Sequence, residues 1–194
     1  ITLGKNSRRD NILSSHNTLK QDEISVVETD RGGEVTMHMP GQLLIYPILP
    51  LSYFGKSIKA YISFLEESII QSLKEIGIHA KSDFKNPGVW INENKIAAIG
   101  VRVKNKYTLH GAAVNVCNNL ALYNHIIPCG LKNKGVTSIK QELSSLSIDN
   151  VMKFSEQFYL VLKKNLSLEV SFIQKKSSLI VKLKEVCMAS RVSL

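Results

Sequence analysis

The stretch V-W-I-N-E-N-K-I-A-A-I-G-V-R-V-K-N-K-Y-T-L-H-G-A-A-V-N-V, residues 89–116, decides the fold of this chain. Apolar and β-branched residues fill 89–91 and dominate 95–103, where Lys95 and Arg102 are the charged exceptions, with the polar Asn92-Glu93-Asn94 between them, so the segment reads as strand, tight turn, strand. Residues 107–116, rich in small and β-branched side chains, continue the pattern as a further strand pair. Upstream, Ile58, Tyr61, Ile62, Leu65, Ile69, Leu73 and Ile76 recur at intervals of three and four, the apolar stripe of one long helix stopped by Gly77. Short strands are expected at 1–3, 24–29, 35–38 and 43–46, the last two separated by the Met39-Pro40-Gly41 turn. Ser138 with Gln141 three positions on forms a capping box that opens a short helix. Phe154, Phe158 and Leu162 share one face of a last helix over 149–164. Grouped strands with few helices predict an α+β fold, a mixed β-sheet flanked by helices.

The chain has 194 residues, enough for one domain with a substantial core. No apolar run is long enough to span a bilayer, which argues against a membrane partner. Cys117, Cys129 and Cys187 form no C-x-x-C pair and no cluster with histidine, so neither a disulfide framework nor a metal site is expected. Such usage fits a reducing compartment: a bacterial cytoplasm, or a mitochondrion if a leader has been removed. The first residue is Ile1, and an N-terminal segment is expected to be missing. Net charge is +9, of which residues 163–194 contribute +5 with Phe172 the single aromatic residue among them and no stacking platform interleaved with the basic ones. That pattern does not suit nucleic acid, but it would steer an acidic protein partner.

Two further stretches carry candidate chemistry. In I-I-P-C-G-L-K-N-K-G-V-T-S, residues 126–138, Cys129 sits in a Pro-Gly turn that would present its thiol on a constrained backbone. A nearby ammonium would favour the thiolate, the form that attacks carbonyls, and Lys95 in W-I-N-E-N-K-I-A-A-I-G is the candidate. A buried, inert cysteine would satisfy the composition equally well. R-G-G-E-V-T-M-H-M-P-G-Q, residues 31–42, combines an arginine and a histidine with glycines that let backbone approach a ligand, although a Gly-rich turn with an exposed arginine reads the same way. His110-Gly111-Ala112-Ala113 sets a ring beside small residues that leave room for a substrate chain or a tight strand crossing.

Taken in order, these blocks resemble the octanoyltransferases of lipoate biosynthesis, the lipoyl(octanoyl) transferase or LipB family. The resemblance rests on R-G-G-x-x-T-x-H-x-P-G-Q-L-x-x-Y at 31–46, G-V-W with K-I-A-x-I-G at 88–100, H-G-x-A-x-N at 110–115, and N-x-I-x-P-C-G-L with V-T-S at 124–138. It implies the biotin/lipoate protein ligase-like fold for a single catalytic domain over 1–170; the basic appendage expected at 171–194 matches nothing in the family. It implies Cys129 as the nucleophile that carries octanoyl as a thioester, with Lys95 favouring the thiolate and moving protons. Arg31, Gly32, Gly33, Glu34, Val35, Thr36, Met37 and His38 would line the acyl pocket, together with Ala98, Ile99, Gly100, Gly111, Ala112 and Ala113. Met37 stands where the family usually has an aromatic residue, and Met39 where it usually has glycine.

The implied donor is octanoyl-acyl carrier protein. The implied acceptors are lipoyl domains of 2-oxoacid dehydrogenases and the glycine cleavage H protein, with neither metal nor other cofactor. Backbone N–H groups around Cys129 and Gly130 are candidate donors to the oxyanion. An ATP-dependent lipoate or biotin ligase of the same fold, and a non-enzymatic basic binding module, are the alternatives. A ligase would not need Cys129.

Overall fold

A computed structural model describes residues 1–131 and 133–143, together with Glu156, Leu160 and Lys164, which are helical and exposed. The rest of the helix expected over 149–164, the boundary at 170 and Cys187 lie outside the described residues. In chain order the elements are β1 (Thr2–Leu3), α1 (His16–Gln21), β2 (Val27–Glu28), β3 (Gln42–Ile45), α2 (Ile58–Glu75), β4 (Lys81–Ser82), β5 (Gly88–Ile91), β6 (Asn94–Lys104), β7 (Tyr107–Asn115), β8 (Gly135–Val136) and α3 (Ile139–Glu142). Six of the strands form one sheet in the order β3-β7-β6-β5-β4, with β8 added to β6. Pairing is antiparallel along that order and parallel between β6 and β8, so the sheet is mixed as expected. β1 and β2 make a separate two-stranded parallel sheet.

Residues 107–116 form one strand and not a pair: β7 runs unbroken and pairs along the far half of β6. The turn between them is Asn105-Lys106, both at positive φ, the geometry whose twist matches flanking strands in a two-residue hairpin. The strand expected at 24–29 shrinks to Val27–Glu28. Residues 35–38 contribute only a bridge between Thr36 and Thr2.

Helix α2 starts at the Ser57 cap, whose side chain accepts the Ala60 N–H, and gives way to Gly77 at φ +85. Its stripe of Tyr61, Leu65, Ile69 and Leu73 is sealed at 1% exposure or less against the sheet. Each of these side chains contributes roughly 2 kcal/mol of apolar burial. Ala97 and Val114, paired across β6 and β7, lie in this core. The next pairs along, Ala98 with Ala113 and Gly100 with Gly111, line a cavity. Cross-strand partners share a face, so four small residues in a row leave open space on that face of the sheet. A second core of Ile1, Leu3, Val35, Met37, Met39, Tyr123 and Ile126 packs the N-terminal segment against the turn at Leu120–His125.

Candidate active site

Three local features bring Lys95 and Cys129 together. The first is a bulge in β6: Trp90 pairs with Lys95 and Val89 with Ala97, which leaves Ile96 as one extra residue. Strand side chains alternate faces, so Lys95 would otherwise share the core face of Ala97. The inserted residue turns it to the cavity face with Ala98 and Gly100. The second is β8. Beyond the Ala97–Val114 pair, β7 leaves the edge of β6, and Gly135–Val136 takes its place beside Asn94 and Lys95. This anchors the end of the loop that carries Cys129. The third is the turn at Pro128–Gly130, in which Cys129 holds φ +56 and Gly130 φ +69. A left-handed conformation at a non-glycine residue stores about 1–3 kcal/mol and is sustained by its surroundings. Here the Cys129 N–H donates to the Val35 carbonyl at 3.1 Å and the Gly130 N–H to Ile127 at 3.0 Å.

The result is Lys95 Nζ 3.1 Å from Cys129 Sγ. Lys95 is 6% exposed. Its ammonium also donates to the Pro87 carbonyl at 3.2 Å and lies 4.6 Å from the centre of the Trp90 ring. The thiol of Cys129 and the amine of Lys95 are thus within hydrogen-bond reach of each other at the edge of the cavity. The same hydrogen bonds that fix the turn correct one expectation. The Cys129 and Gly130 N–H groups are committed to Val35 and Ile127, so they are not free to receive an oxyanion in this conformation.

Cys129 and Lys95 line a cavity of about 550 Å³, within the usual range for a small-ligand site. Of the residues expected to line the pocket, Arg31, Gly32, Gly33, Glu34, Thr36 and His38 do so, as do Ala98, Ile99, Gly100, Gly111, Ala112 and Ala113. Val35 and Met37 do not. The segment is extended, so its alternate side chains, at 0% and 2% exposure, enter the N-terminal core while Glu34, Thr36 and His38 face the cavity. Met39 joins Met37 in that core, and the turn takes its positive φ at Gly41 instead.

Arg31 lies at the cavity with its guanidinium tied to protein: Nη2 donates to the Thr2 carbonyl at 2.7 Å, Nε to Thr2 Oγ1 and Nη1 to the Gly32 carbonyl. It therefore clamps the N-terminal strand and adds positive charge to the site. Glu34 likewise accepts from Asn11 Nδ2 at 3.0 Å and from the Arg8 N–H. His110, at φ +58, bonds Asp30 at 2.7 Å, and Asp30 also pairs with Arg102. Beneath the loops, Gln42 Nε2 donates to Asn115 Oδ1 and Tyr123 Oη, and Asn115 Nδ2 donates to the Thr137 carbonyl. This buried network ties β3 and β7 to the strand that follows Cys129.

Burial, followed by the Arg31 charge, pushes the His38 imidazole down to about 4, and its Nδ1 is buried without a partner among the described residues. His38 is therefore neutral at pH 7. An unfolded histidine takes up its proton near pH 6.5 and this one only near pH 4, so acidification across that window favours unfolding by up to about 3 kcal/mol. The expected result is a urea midpoint that falls between pH 7 and pH 4.5, and a smaller fall in His38→Asn. An equal fall in the variant would assign the acid sensitivity to other groups.

The site holds several residues beyond those expected from the sequence. Tyr46 faces the cavity, with its hydroxyl held protonated by burial, and stands edge-on to His110. Its place at the end of the R-G-G block was the available signal. Trp90, Pro87 and Glu66 also bear on Lys95, and only the bulge and the fold disclose it.

Residues 1–159 match the family model described as the lipoyl protein ligase A/B catalytic domain. The chain belongs to this family. Within it, the chain is 45% identical over 165 residues to the octanoyltransferase of Caldicellulosiruptor saccharolyticus, covering 84% of this chain and 68% of that enzyme. It is 44% identical over 154 residues to the octanoyltransferase of Dictyoglomus turgidum, covering 79% and 65%. The chain thus spans about two thirds of the length of these relatives. Among solved structures, LipL1 of P. falciparum in complex with lipoate superposes with a TM-score of 0.65 at 18% identity, over 93% of this chain and 49% of that one. Lipoate-protein ligase A bound with ATP gives 0.59 at 16%, over 90% and 77%. At such identity these two speak for the fold alone. Among the described residues no helix is long and apolar enough to cross a membrane.

Proposed function

We propose that the chain transfers an octanoyl group from octanoyl-acyl carrier protein to a lysine of a lipoyl domain, by way of a thioester on Cys129. The observation that carries this reading is the 3.1 Å contact between Lys95 Nζ and Cys129 Sγ at a cavity floored by alanine and glycine. The likeness to enzymes named octanoyltransferase supports it.

In the first half-reaction the Cys129 thiolate attacks the donor thioester carbon. The bond from that carbon to the carrier's sulfur breaks, and the departing thiolate takes a proton from the Lys95 ammonium. In the second, the amine of the acceptor lysine attacks the acyl carbon. Neutral Lys95 takes the amine proton, and Cys129 leaves as thiolate beside the restored ammonium. One thioester is exchanged for another and then for an amide, so the sequence runs downhill without ATP. Two bulky proteins use one site in turn. The lipoyl domains of 2-oxoacid dehydrogenases and the glycine cleavage H protein are the acceptors proposed, and the positive net charge suits acidic carrier domains.

The test mixes the chain with octanoyl-acyl carrier protein and an apo lipoyl domain in the absence of ATP. The expected outcome is octanoylation of the domain's lysine. Modification seen only with ATP and free octanoate would instead make the chain a ligase.

A further inference from the structure

Helix α2 carries one acidic residue on its buried side that core packing does not explain. Glu66 is 8% exposed, and its Oε1 accepts the Gly88 N–H at 2.8 Å. Gly88 N–H and the Pro87 carbonyl are the two ends of one trans peptide unit, so they point in opposite directions. The N–H end meets the Glu66 carboxylate, and the carbonyl end accepts from Lys95 Nζ at 3.2 Å. Lys95 Nζ in turn lies 3.1 Å from Cys129 Sγ. A continuous line thus runs from a carboxylate through one peptide dipole to an ammonium and a thiol. A charged acceptor on the N–H polarises the peptide and strengthens the hold of its carbonyl on the cation.

The backbone is shaped for this. Gly88 sits at φ +136, a region closed to residues with a side chain. A Cβ there would lie 2.7 Å from the Ala97 carbonyl and 3.2 Å from Lys95 Cε. The charged groups that face Glu66 are Lys95 and Asp83.

We propose that Glu66 is a positioning residue for acyl transfer: through the Pro87–Gly88 peptide it holds the Lys95 ammonium against Cys129. The proposal rests on the acyl-transfer reading and adds to it a residue more than sixty positions away from the nucleophile. It would act on the thiol through two intermediates, touching neither substrate nor sulfur.

The test is the rate at which iodoacetamide alkylates Cys129, followed by the mass of its peptide at pH 7 and at pH 10, in the folded full chain. Glu66→Met fills a similar volume without accepting a hydrogen bond. It should slow alkylation at pH 7 by roughly tenfold and leave the pH 10 rate unchanged, because only the neutral-pH thiolate depends on the ammonium. Glu66→Gln keeps an oxygen for the Gly88 N–H and should stay within about threefold of the parent. Glu66→Ala removes the carboxylate without adding volume and keeps a strong helix former in α2; it should match Glu66→Met, which keeps the question answerable if the methionine is not accommodated. Lys95→Ala calibrates the assay.

A pH 7 rate that falls in Lys95→Ala but not in Glu66→Met or Glu66→Ala would overturn the role of Glu66 and leave the pair intact. An unchanged rate in Lys95→Ala would instead remove the pair itself, and the proposed function with it. Equal losses in Glu66→Gln and Glu66→Met would also overturn the peptide route, since the glutamine still accepts.

Discussion

Cys129→Ala should lose octanoyl transfer by at least about 10³-fold while folding as the parent does. The side chain is not a core element: its turn is held by backbone hydrogen bonds to Val35 and Ile127, which the substitution leaves in place. What disappears is the thiol that lies 3.1 Å from Lys95 Nζ. Cys117, the other described cysteine, does not line the cavity, and its N–H bonds the Gly41 carbonyl. Cys117→Ser should therefore retain transfer. Stability sharpens the contrast. Cys129 occupies φ +56, so Cys129→Gly should raise stability by about 1 kcal/mol while removing activity. Paired denaturant melts and transfer rates check both halves. A Cys129→Ala enzyme that still transfers octanoyl would place the nucleophile elsewhere.

Lys95→Ala should slow both half-reactions by about 10²–10⁴-fold, the usual range for loss of a positioned proton carrier. The two steps ask opposite things of Lys95: an ammonium when the donor thiolate leaves, a free amine when the acceptor attacks. Lys95→Arg separates them. A guanidinium keeps its charge and gives up no proton, so it can support part of the first step but not the second. That variant should accumulate acyl-enzyme, and the alanine variant should not. Rapid-quench mass measurements of each half-reaction read this directly, and equal rates in Lys95→Arg and the parent would take the lysine out of proton transfer.

Much of this site was legible in the sequence because its parts are local. The 3.6-residue stripe from Ile58 gave α2, the polar break at Asn92 gave the β5–β6 turn, and the Pro-Gly context singled out Cys129. The small residues of β6 and β7 announced open space, which register then turned into a cavity floor. What escaped depended on long-range geometry. A bulge at Ile96 reverses the face of Lys95, and no periodicity reveals an inserted residue until the partner strand is known. Val35 and Met37 were expected at the cavity because a motif was read as a block, whereas an extended segment sends alternate side chains to opposite sides. Glu66 sits on a helix face that reads as plain core, and only the packing of α2 against the Pro87–Gly88 turn gives its carboxylate a partner. The N–H groups of Cys129 and Gly130 looked available until the turn that presents the thiol proved to use them both.

The most direct test of the account is the intact mass of the chain after a single exposure to octanoyl-acyl carrier protein without ATP. One octanoyl adduct is expected, mapped to the Cys129 peptide and lost when an apo lipoyl domain is added. A folded chain that takes up no adduct, or one whose adduct maps to another residue, would contradict it.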